Sequence, residues 1–338
     1  MYELIITEKP NAAKRIAESL ADGKPIKESI NGVPYYKLTH GNKDIVVACA
    51  VGHLYGLAEK EKKGWRFPVF DIEWKPLSET TRSAAFTKKY LNAIKKLCKD
   101  AKEFTVATDF DQEGSVIGSN IIKFACNKKD AYRMKFSTLT KDELRESYKN
   151  KMPHLDEGQI EAGETRHYLD FFNGINYSRA LTSAIKSTGA FKIMSTGRVQ
   201  GPALKIIVDK EREIKAFIAK PFWQIQLTGS HNEQEIIAFH KQDKFWEKSQ
   251  ADKVIENTKN QKEANIDRVE RNQFNQIPPF PFDLTSLQVE AYRCFNISPK
   301  ETLEIAQELY TSGFISYPRT SSQQLPASIG YEKILNDL

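Results

Sequence analysis

The fold is indicated most clearly by Phe104-Thr105-Val106-Ala107-Thr108-Asp109-Phe110-Asp111-Gln112-Glu113-Gly114, an apolar run that leads into three acidic residues at alternate positions. The apolar run predicts a buried β-strand. The spacing of Ile117, Ile121 and Phe124 predicts a helix that begins near Ser115. A strand, a short loop and a helix in this order indicate an α/β domain, which binds its ligands where the strands end.

Two further strands are predicted nearer the N-terminus. Glu3 to Thr7 is a short apolar strand that ends in Glu8-Lys9-Pro10, and a helix follows from about Asn11 to Leu20. Asp44 to Val51 is too apolar for an edge strand and leads into Gly52-His53-Leu54. Because parallel strands end at the same edge of a sheet, Glu8 is expected on the same edge as the acidic loop.

The three acidic residues of that loop form a candidate metal site. If the backbone stays extended, the D-x-D-x-E spacing directs the carboxylates of Asp109, Asp111 and Glu113 to the same side. Such a cluster repels itself unless a cation neutralises it, and carboxylate oxygens suit Mg²⁺. The alternative is an acidic loop that is merely solvated.

A candidate nucleophile lies near the other end of the chain. A helix is predicted from its N-cap Ser298 to Gly313, whose left-handed conformation would end it. The next residues include Tyr317-Pro318-Arg319, and in an extended backbone the phenol and the guanidinium emerge on one face. That pair suits attack on a phosphodiester. The alternative is a packed turn at a helix exit.

The middle of the chain changes in character from helical to β-rich. Leu155 to Lys186 is predicted to be largely helical, and the loop from Met194 to Pro202 opens another helix. The free N–H groups of that helix, together with Arg198 and Gln200, would suit a phosphate, although a well-capped helix start explains the same residues. Further elements are expected beyond a boundary near Phe217: strands at Pro221–Leu227, Ile236–Phe239 and Ile266–Val269, and a helix at Ser249–Asn257.

Composition narrows the class of protein. The chain has 338 residues, 40% hydrophobic and 28% charged, which is typical of a globular protein with two or more cores. No apolar run could span a membrane, and the strand at the N-terminus predicts no signal peptide. The formal charge of +6 is compatible with nucleic-acid binding. Four scattered cysteines predict neither a zinc ribbon nor a disulfide framework, and they indicate a reducing cytoplasm.

The order of these motifs resembles that of the type IA DNA topoisomerases of the topoisomerase I/III branch. The resemblance covers nearly the whole chain and is carried by five motifs, namely Thr7-Glu8-Lys9-Pro10, Gly52-His53-Leu54, Ala107 to Gly114, Ser195 to Pro202, and Ile315-Ser316-Tyr317-Pro318-Arg319-Thr320. Each motif is weak alone, but the five stand in the order and spacing of the family.

The resemblance implies a multidomain α+β protein. It predicts an α/β Toprim domain with a parallel-type sheet at 1–154, the first part of a helical DNA-binding domain at 155–216 and a β-rich arch segment at 217–277. An incomplete winged-helix-like domain that carries the tyrosine would follow at 278–338. The implied reaction is Mg²⁺-dependent, ATP-independent cleavage and resealing of single-stranded or underwound DNA through a 5′-phosphotyrosyl bond, with passage of another strand and relaxation of negative supercoils.

The resemblance also implies a role for each candidate residue. Tyr317 would be the nucleophile, Glu8 the general acid, and Lys9 and Arg319 the cations that hold the phosphate. Mg²⁺ would bind Asp109, Asp111 and Glu113, and the DNA backbone would contact His53, Arg166, Arg198 and Gln200. The chain departs from the usual family pattern at Phe110, Gln112, Ser115 and Ser321, so a positive charge beside the acidic loop is missing from the sequence motif.

In the family the chain continues beyond this tyrosine domain, which leads us to expect a truncated chain or one half of a split enzyme. It would need a second polypeptide to relax DNA, and it would lie in the cytoplasm with the nucleoid. Two other functions stay open. One is a Toprim nuclease or primase-like enzyme, which needs the acidic residues but not Tyr317, and the other is a non-catalytic single-strand DNA-binding subunit.

Overall fold

A mixed six-stranded sheet is the centre of the N-terminal region in the computed structural model, which describes residues 1–62, 64–325 and 329–337. The strands are β1 (Tyr2–Thr7), β2 (Ile26–Ile30), β3 (Val33–His40), β4 (Lys43–Cys49), β5 (Tyr55–Glu59), β6 (Ile72–Pro76), β7 (Ala101–Val106) and β8 (Tyr132–Arg133). The sheet has the order β2-β3-β4-β1-β7-β8, and β5 and β6 form a separate antiparallel pair. Strands β4, β1, β7 and β8 are parallel to one another. Strand β3 pairs with β4 in antiparallel orientation, and β2 pairs with β3 in the same way.

Strand β1 is central because its residues are apolar on both sides. Ile5 is in register with Val47 of β4 and with Thr105 of β7. Leu4 and Ile6 face one apolar layer and Ile5 faces the other, and all three are completely buried. The three strands predicted here are confirmed, and β4 is internal, as its apolar run indicated.

Helices cover both faces of the sheet. They are α1 (Pro10–Leu20), α3 (Thr87–Cys98), α4 (Gln112–Asn120) and α5 (Lys141–Lys149), and the short helix α2 (Leu77–Thr80) follows β6. The apolar sides of α1 and α5 pack with Ile5, and those of α3 and α4 pack with Leu4 and Ile6. This arrangement confirms the predicted α/β class with a parallel-type sheet.

The predicted helical region follows the sheet. It contains α6 (Glu157–Phe172), a π-helical segment (Asn173–Tyr177) and α7 (Ser178–Ser187), which confirms the expectation for Leu155 to Lys186. Nearer the C-terminus lie α10 (Leu284–Phe295), α11 (Pro299–Thr311) and α12 (Tyr331–Asp337). The side chain of Ser298 caps α11, and Gly313 has φ +81° beyond its end, both as predicted.

The chain forms two compact units, one of Met1–Gln200 with Pro279–Leu338 and one of Gly201–Pro278. The finer division at residues 154, 216 and 277 remains a prediction. Helix α8 (Gln200–Ala216) precedes the hairpin of β9 (Gln226–His231) and β10 (Gln234–Phe239), and α9 (Lys248–Thr258) follows.

Two strand predictions in this region need correction. Most of Pro221–Leu227 is not a strand, although Trp223 forms a bridge with Phe245, and Ile266–Val269 is irregular. Alternating apolar residues form a strand only where another strand supplies hydrogen bonds. Among the described residues no strand pairs with Ile266–Val269.

The expectation about cysteines was wrong for one pair. Cys98, at the end of α3, and Cys126, after the π-helical segment Ile121–Ala125, form a disulfide with their Cα atoms 5.3 Å apart. The two helices pack side by side against the sheet, and the 28-residue spacing gives no hint of this. In the described part of the chain, no helix is both long and apolar enough to cross a membrane.

Candidate active site

The ends of β1, β4 and β7 bring three loops together at one edge of the sheet. Glu8 and Lys9 follow β1, and the backbone N–H of Gly52, after β4, donates to the carbonyl oxygen of Glu8 at 3.2 Å. Val51 and Gly52 both have positive φ, 56° and 92°, and this tight left-handed turn leads directly to His53. The motifs Thr7-Glu8-Lys9-Pro10 and Gly52-His53-Leu54 are therefore adjacent at this edge of the sheet.

Asp109 is the buried centre of the third loop. Its side chain is 3% exposed, and its Oδ2 accepts a 2.5 Å hydrogen bond from Nζ of Lys9. Its Oδ1 accepts a 3.0 Å hydrogen bond from the hydroxyl of Tyr310, which lies on α11. A buried carboxylate requires such partners, and this one links the sheet edge to the C-terminal helices.

Glu8 lies beside this pair, with its Oε1 at 3.6 Å from Nζ of Lys9. Burial and then the negative charge of Asp109 raise the pKa of Glu8, while Lys9 opposes the shift. A carboxyl group needs a raised pKa to act as a general acid near neutral pH, and the shift of the Glu8 pKa is in that direction.

Asp111 caps helix α4 and also contacts the candidate nucleophile. Its Oδ1 accepts a 2.7 Å hydrogen bond from the backbone N–H of Gly114, and its Oδ2 accepts a 2.5 Å hydrogen bond from the hydroxyl of Tyr317. Gly114 is required because a Cβ there would lie 2.2 Å from the carbonyl oxygen of Asp109. The loop is therefore tightly folded.

Tyr317 is held by its backbone and by its ring. Its N–H donates to the carbonyl oxygen of Ser137 at 2.8 Å, and its ring packs edge-on against Tyr310 at 5.3 Å. Burial, then the hydrogen bond from the phenol to Asp111, raises the pKa of Tyr317. The phenol is therefore a protonated donor in this conformation.

A groove of about 490 Å³ opens beside the tyrosine. Tyr317, Arg319, Phe110 and Lys135 are among its lining residues, and Arg319 is exposed. Arg319 therefore lines the same groove as Tyr317, although the backbone bends at Pro318 between them.

The expectation that three carboxylates point the same way was wrong. Helix α4 begins at Gln112, because Asp111 caps it, and Glu113 therefore lies in the first helical turn. Its Oε2 contacts Nε2 of His53 at 2.9 Å and Nε2 of His167 at 3.0 Å. The hydrogen bonds from His167 and then His53 hold the pKa of Glu113 well below its usual range, although burial opposes this.

The other predicted DNA contacts lie on α6 and before α8. Arg166 is 3.5 Å from Oε1 of Glu113, and Nε of Arg198 is 2.7 Å from Oδ1 of Asp170. Gln200 is exposed at the first position of α8. The two arginines are thus held by carboxylates. Glu113 joins Arg166 to His53, and Asp170 lies near both arginines, since its Oδ2 is 3.8 Å from Nε of Arg166.

Sequence reasoning missed Arg133, which is 1% exposed on β8. Its guanidinium donates to the carbonyl oxygens of Thr108 and Asp109, both at 2.8 Å, and burial lowers its pKa to about 10. Arg133 and Lys135 also lie 5.1 and 4.7 Å from the centre of the Phe110 ring. Positively charged side chains thus border the acidic loop, although they come from β8 and the residues after it and not from the loop itself.

Two family matches cover most of the chain. Residues 3–139 match the Toprim domain, which is in general a metal-binding domain, and residues 154–338 match the family described as DNA topoisomerase. The Toprim match includes Glu8, Lys9 and the acidic loop, and the second match includes Tyr317.

Similar proteins include two named DNA topoisomerase 1. The protein of Methanocaldococcus jannaschii is 49% identical over 338 residues, which cover 99% of this chain and 44% of the relative. That of Pyrococcus horikoshii is 46% identical, covering 99% of this chain and 49% of the relative. This chain spans about half the length of these relatives.

A solved structure shows the same fold. Full-length topoisomerase I of Thermotoga maritima is 24% identical and matches with a TM-score of 0.66, covering 99% of this chain and 52% of that chain. The resemblance on the five motifs is therefore confirmed at the level of the family: this chain belongs to the type IA DNA topoisomerases.

Proposed function

We propose that this chain carries the strand-cleaving site of a type IA DNA topoisomerase, in which Tyr317 forms a 5′-phosphotyrosyl bond with one DNA strand. The observation that supports this most strongly is the hydrogen bond from the Tyr317 hydroxyl to Asp111, 206 residues earlier in the chain. This contact puts a phenol at the acidic strand ends where α/β domains bind ligands. Neither a Toprim nuclease or primase-like enzyme nor a non-catalytic DNA-binding subunit requires this contact.

The reaction makes one bond and breaks one bond at phosphorus. The Tyr317 oxygen attacks the phosphodiester, the new P–O bond joins the protein to the 5′ end, and the bond to the 3′ oxygen breaks. The phenol proton leaves along the hydrogen bond to Oδ2 of Asp111, and Glu8 protonates the departing 3′ oxygen. Resealing reverses these transfers and conserves the phosphoester energy, so that ATP is not needed.

Two cations offset the cost of making a phenolate. A free tyrosine has a pKa near 10, which is about 4 kcal/mol from its anion at neutral pH. Arg319 on the groove and Lys9 at the sheet edge would hold the phosphate and stabilise the charge that develops on it. Lys9 is already directed into the site by Asp109.

The carboxylates of Asp109 and Asp111 have the chemistry of a Mg²⁺ site, since hard oxygen donors suit this ion. Burial, then the negative charges of Asp109 and Asp111, raise the pKa of Glu8, and a bound cation would offset the repulsion among these carboxylates. When bound, Mg²⁺ would orient DNA phosphates and support resealing. Glu113 was included in this set from its spacing, but here it contacts two histidines.

DNA would reach this site as a single strand or an underwound segment. His53, Arg166, Arg198 and Gln200 would contact its backbone. Phosphates would have to compete with Glu113 for Arg166 and with Asp170 for Arg198. Binding should therefore weaken steeply with salt, because each neutralised phosphate releases counterions.

The complete reaction would include strand passage and relaxation of negative supercoils. A second polypeptide would supply the part that the longer relatives possess, and the assembly would act on the nucleoid in the cytoplasm.

The test is capture of the covalent intermediate. A single-stranded oligonucleotide labelled at its 3′ end is incubated with the chain and Mg²⁺, and the mixture is denatured and separated on a gel. A parallel reaction adds the part of the Methanocaldococcus jannaschii relative that this chain does not match. We expect labelled protein from the wild type, and at least about a hundredfold less from Tyr317→Phe.

The matched control is Tyr177→Phe, which changes an exposed tyrosine on the same compact unit and should leave the labelled band unchanged. An undiminished adduct in Tyr317→Phe would contradict the proposal. Cutting without any adduct would favour a Toprim nuclease, and salt-sensitive binding without cutting would favour a non-catalytic subunit.

A further inference from the structure

We propose that His53, Glu113 and His167 bind a divalent transition metal ion of the zinc class, at a site separate from the proposed Mg²⁺ site of Asp109 and Asp111. The inference does not rest on the topoisomerase reaction, because it concerns metal binding by the chain itself. Among the described residues, these three form a group whose ligand atoms all lie within 4.8 Å of one another.

The donor atoms are two imidazole nitrogens and one carboxylate oxygen. Imidazole suits zinc, iron, cobalt and nickel, whereas Mg²⁺ prefers oxygen donors and retains its water. Two histidines with one carboxylate are a ligand set of catalytic zinc and non-haem iron sites. The cluster therefore differs in chemistry from the aspartates of the neighbouring loop.

The spacing of the donor atoms fits a shared ion. Nε2 of His53 and Nε2 of His167 lie 2.9 and 3.0 Å from the same oxygen, Oε2 of Glu113. Ligands at about 2.1 Å from a metal are about 3.0 Å apart when their bonds form a right angle and about 3.4 Å apart in a tetrahedron. The two nitrogen–oxygen distances would thus change by about half an ångström or less around an ion, and the two histidine nitrogens already lie within 4.8 Å of each other.

The three ligands are held by different elements. His53 follows the left-handed turn after β4, Glu113 lies in the first turn of α4, and His167 lies on α6. Helices α4 and α6 approach closely at Gly163, where a Cβ would lie 2.7 Å from the carbonyl oxygen of Gln112. The ring of Trp74 packs edge-on against His167 at 5.4 Å, which restricts that imidazole.

The cluster is also accessible from one side. The side chains of His53, Glu113 and His167 are 26%, 29% and 26% exposed, so an ion could enter and keep water or a phosphate oxygen as further ligands. Arg166 approaches the other oxygen of Glu113, Oε1, at 3.5 Å, which leaves Oε2 directed at the two histidines.

A direct consequence concerns Glu113. Because Glu113 contacts the two histidines and not Asp109 or Asp111, a transition metal ion there and Mg²⁺ in the adjacent loop would share no ligand. The two ions should therefore bind independently, and loss of Asp109 should weaken Mg²⁺ binding without affecting the zinc-class site.

The experiment uses Co²⁺ and Zn²⁺ alone as probes, on the full chain with its exposed Cys294 replaced by serine and after treatment with a chelator. We expect one equivalent of Co²⁺ to produce visible d–d absorption that Zn²⁺ abolishes and excess Mg²⁺ does not. His53→Gln and His167→Gln should each weaken Co²⁺ binding about tenfold or more. The matched control is His154→Gln, at an exposed histidine paired with Asp130, and it should bind as the parent does.

Anomalous scattering at the zinc edge, from crystals of the parent chain soaked in Zn²⁺, gives a test that needs no variant. A peak between the three side chains supports the proposal. The proposal would be overturned if no peak appeared there, if Co²⁺ binding survived both histidine variants, or if Mg²⁺ displaced Co²⁺. These readouts require no DNA, so failure here leaves the capture of the Tyr317 adduct unaffected.

Discussion

The hydroxyl of Tyr317 donates a 2.5 Å hydrogen bond to Oδ2 of Asp111, which also caps helix α4. One carboxylate therefore fixes both the start of a helix on the sheet and the phenol of a segment near the C-terminus. The backbone of Tyr317 is attached to Ser137 by a second hydrogen bond of 2.8 Å. The catalytic proposal depends on this pairing, and so do the expected effects of changes in the loop.

Gly114→Ala should distort the acidic loop. The added Cβ would lie 2.2 Å from the backbone oxygen of Asp109, so that the loop or the start of α4 must move. We expect a loss of about 1 to 3 kcal/mol in unfolding free energy, measured by urea denaturation, together with loss of the covalent adduct.

The control for this change is Gly174→Ala, since a Cβ at Gly174 meets nothing within 4 Å. It should cost nothing measurable in either assay. Equal stability of the two variants would show that the close approach at Gly114 does not constrain the loop.

Arg133→Met should destabilise the acidic loop by removing hydrogen bonds to its backbone. The buried guanidinium bonds the carbonyl oxygens of Thr108 and Asp109, and methionine would leave them without those donors. We expect a loss of about 3 kcal/mol in unfolding free energy. Arg293→Met, at a side chain that is 70% exposed, should leave the unfolding free energy nearly unchanged. A similar cost for both would contradict a specific role for Arg133.

Glu3 should make the folding stability depend on pH. Its carboxylate is 2% exposed and accepts hydrogen bonds from Lys151 at 2.5 Å, from Tyr148 at 2.6 Å and from Thr105. Burial raises the pKa of Glu3, but these hydrogen bonds outweigh it and lower the pKa overall. The stabilisation is therefore complete above the unfolded pKa of about 4.3 and is lost as the pH falls through the lower folded value.

Glu3→Gln should cost about 3 kcal/mol at pH 7, because it leaves Lys151 buried without its partner, and this cost should shrink below about pH 4. Lys43→Gln removes an exposed pair with Glu103 and should cost less than about 1 kcal/mol. Chemical denaturation at pH 7 and below about pH 4 measures the unfolding free energy of both variants. A cost of Glu3→Gln that stays constant with pH would contradict the assignment.

Relaxation of a negatively supercoiled plasmid should require a complement to this chain. The relatives that it matches are about twice as long, and we propose that strand passage uses the part of them that this chain does not match. We expect DNA binding but no relaxation from the chain alone, and relaxation when the remaining part of a relative is added. Tyr317→Phe should abolish the restored activity. Efficient relaxation by these 338 residues alone would contradict the proposal that the unmatched part is needed.

The sequence predicted those features that local periodicity and motif order determine. The buried strands β1, β4 and β7, the cap at Ser298 and the approach of Tyr317 to the strand ends all follow from residues that lie near each other in sequence or from the family resemblance. The start of α4 was predicted near Ser115, and the helix begins at Gln112 because Asp111 caps it. Glu113 therefore lies in the first turn of the helix, whereas Asp109 and Asp111 precede it.

Contacts between distant elements could not be predicted in this way. His167 is 54 residues from Glu113, and nothing in its own helix distinguishes it from a solvated histidine. Arg133 lies on a two-residue strand, and its burial depends on how β8 joins the sheet. The disulfide between Cys98 and Cys126 likewise depends on the packing of two helices.

The position of the protein–DNA bond shows whether Tyr317 is the nucleophile. The adduct formed with a 3′-labelled oligonucleotide is digested with protease and nuclease, and the nucleotide-bearing peptide is identified by mass spectrometry. We expect a single modified peptide, with the 5′ phosphate on the oxygen of Tyr317. A phosphate linked to any other residue, or a bond to the 3′ end of the DNA, would contradict this expectation.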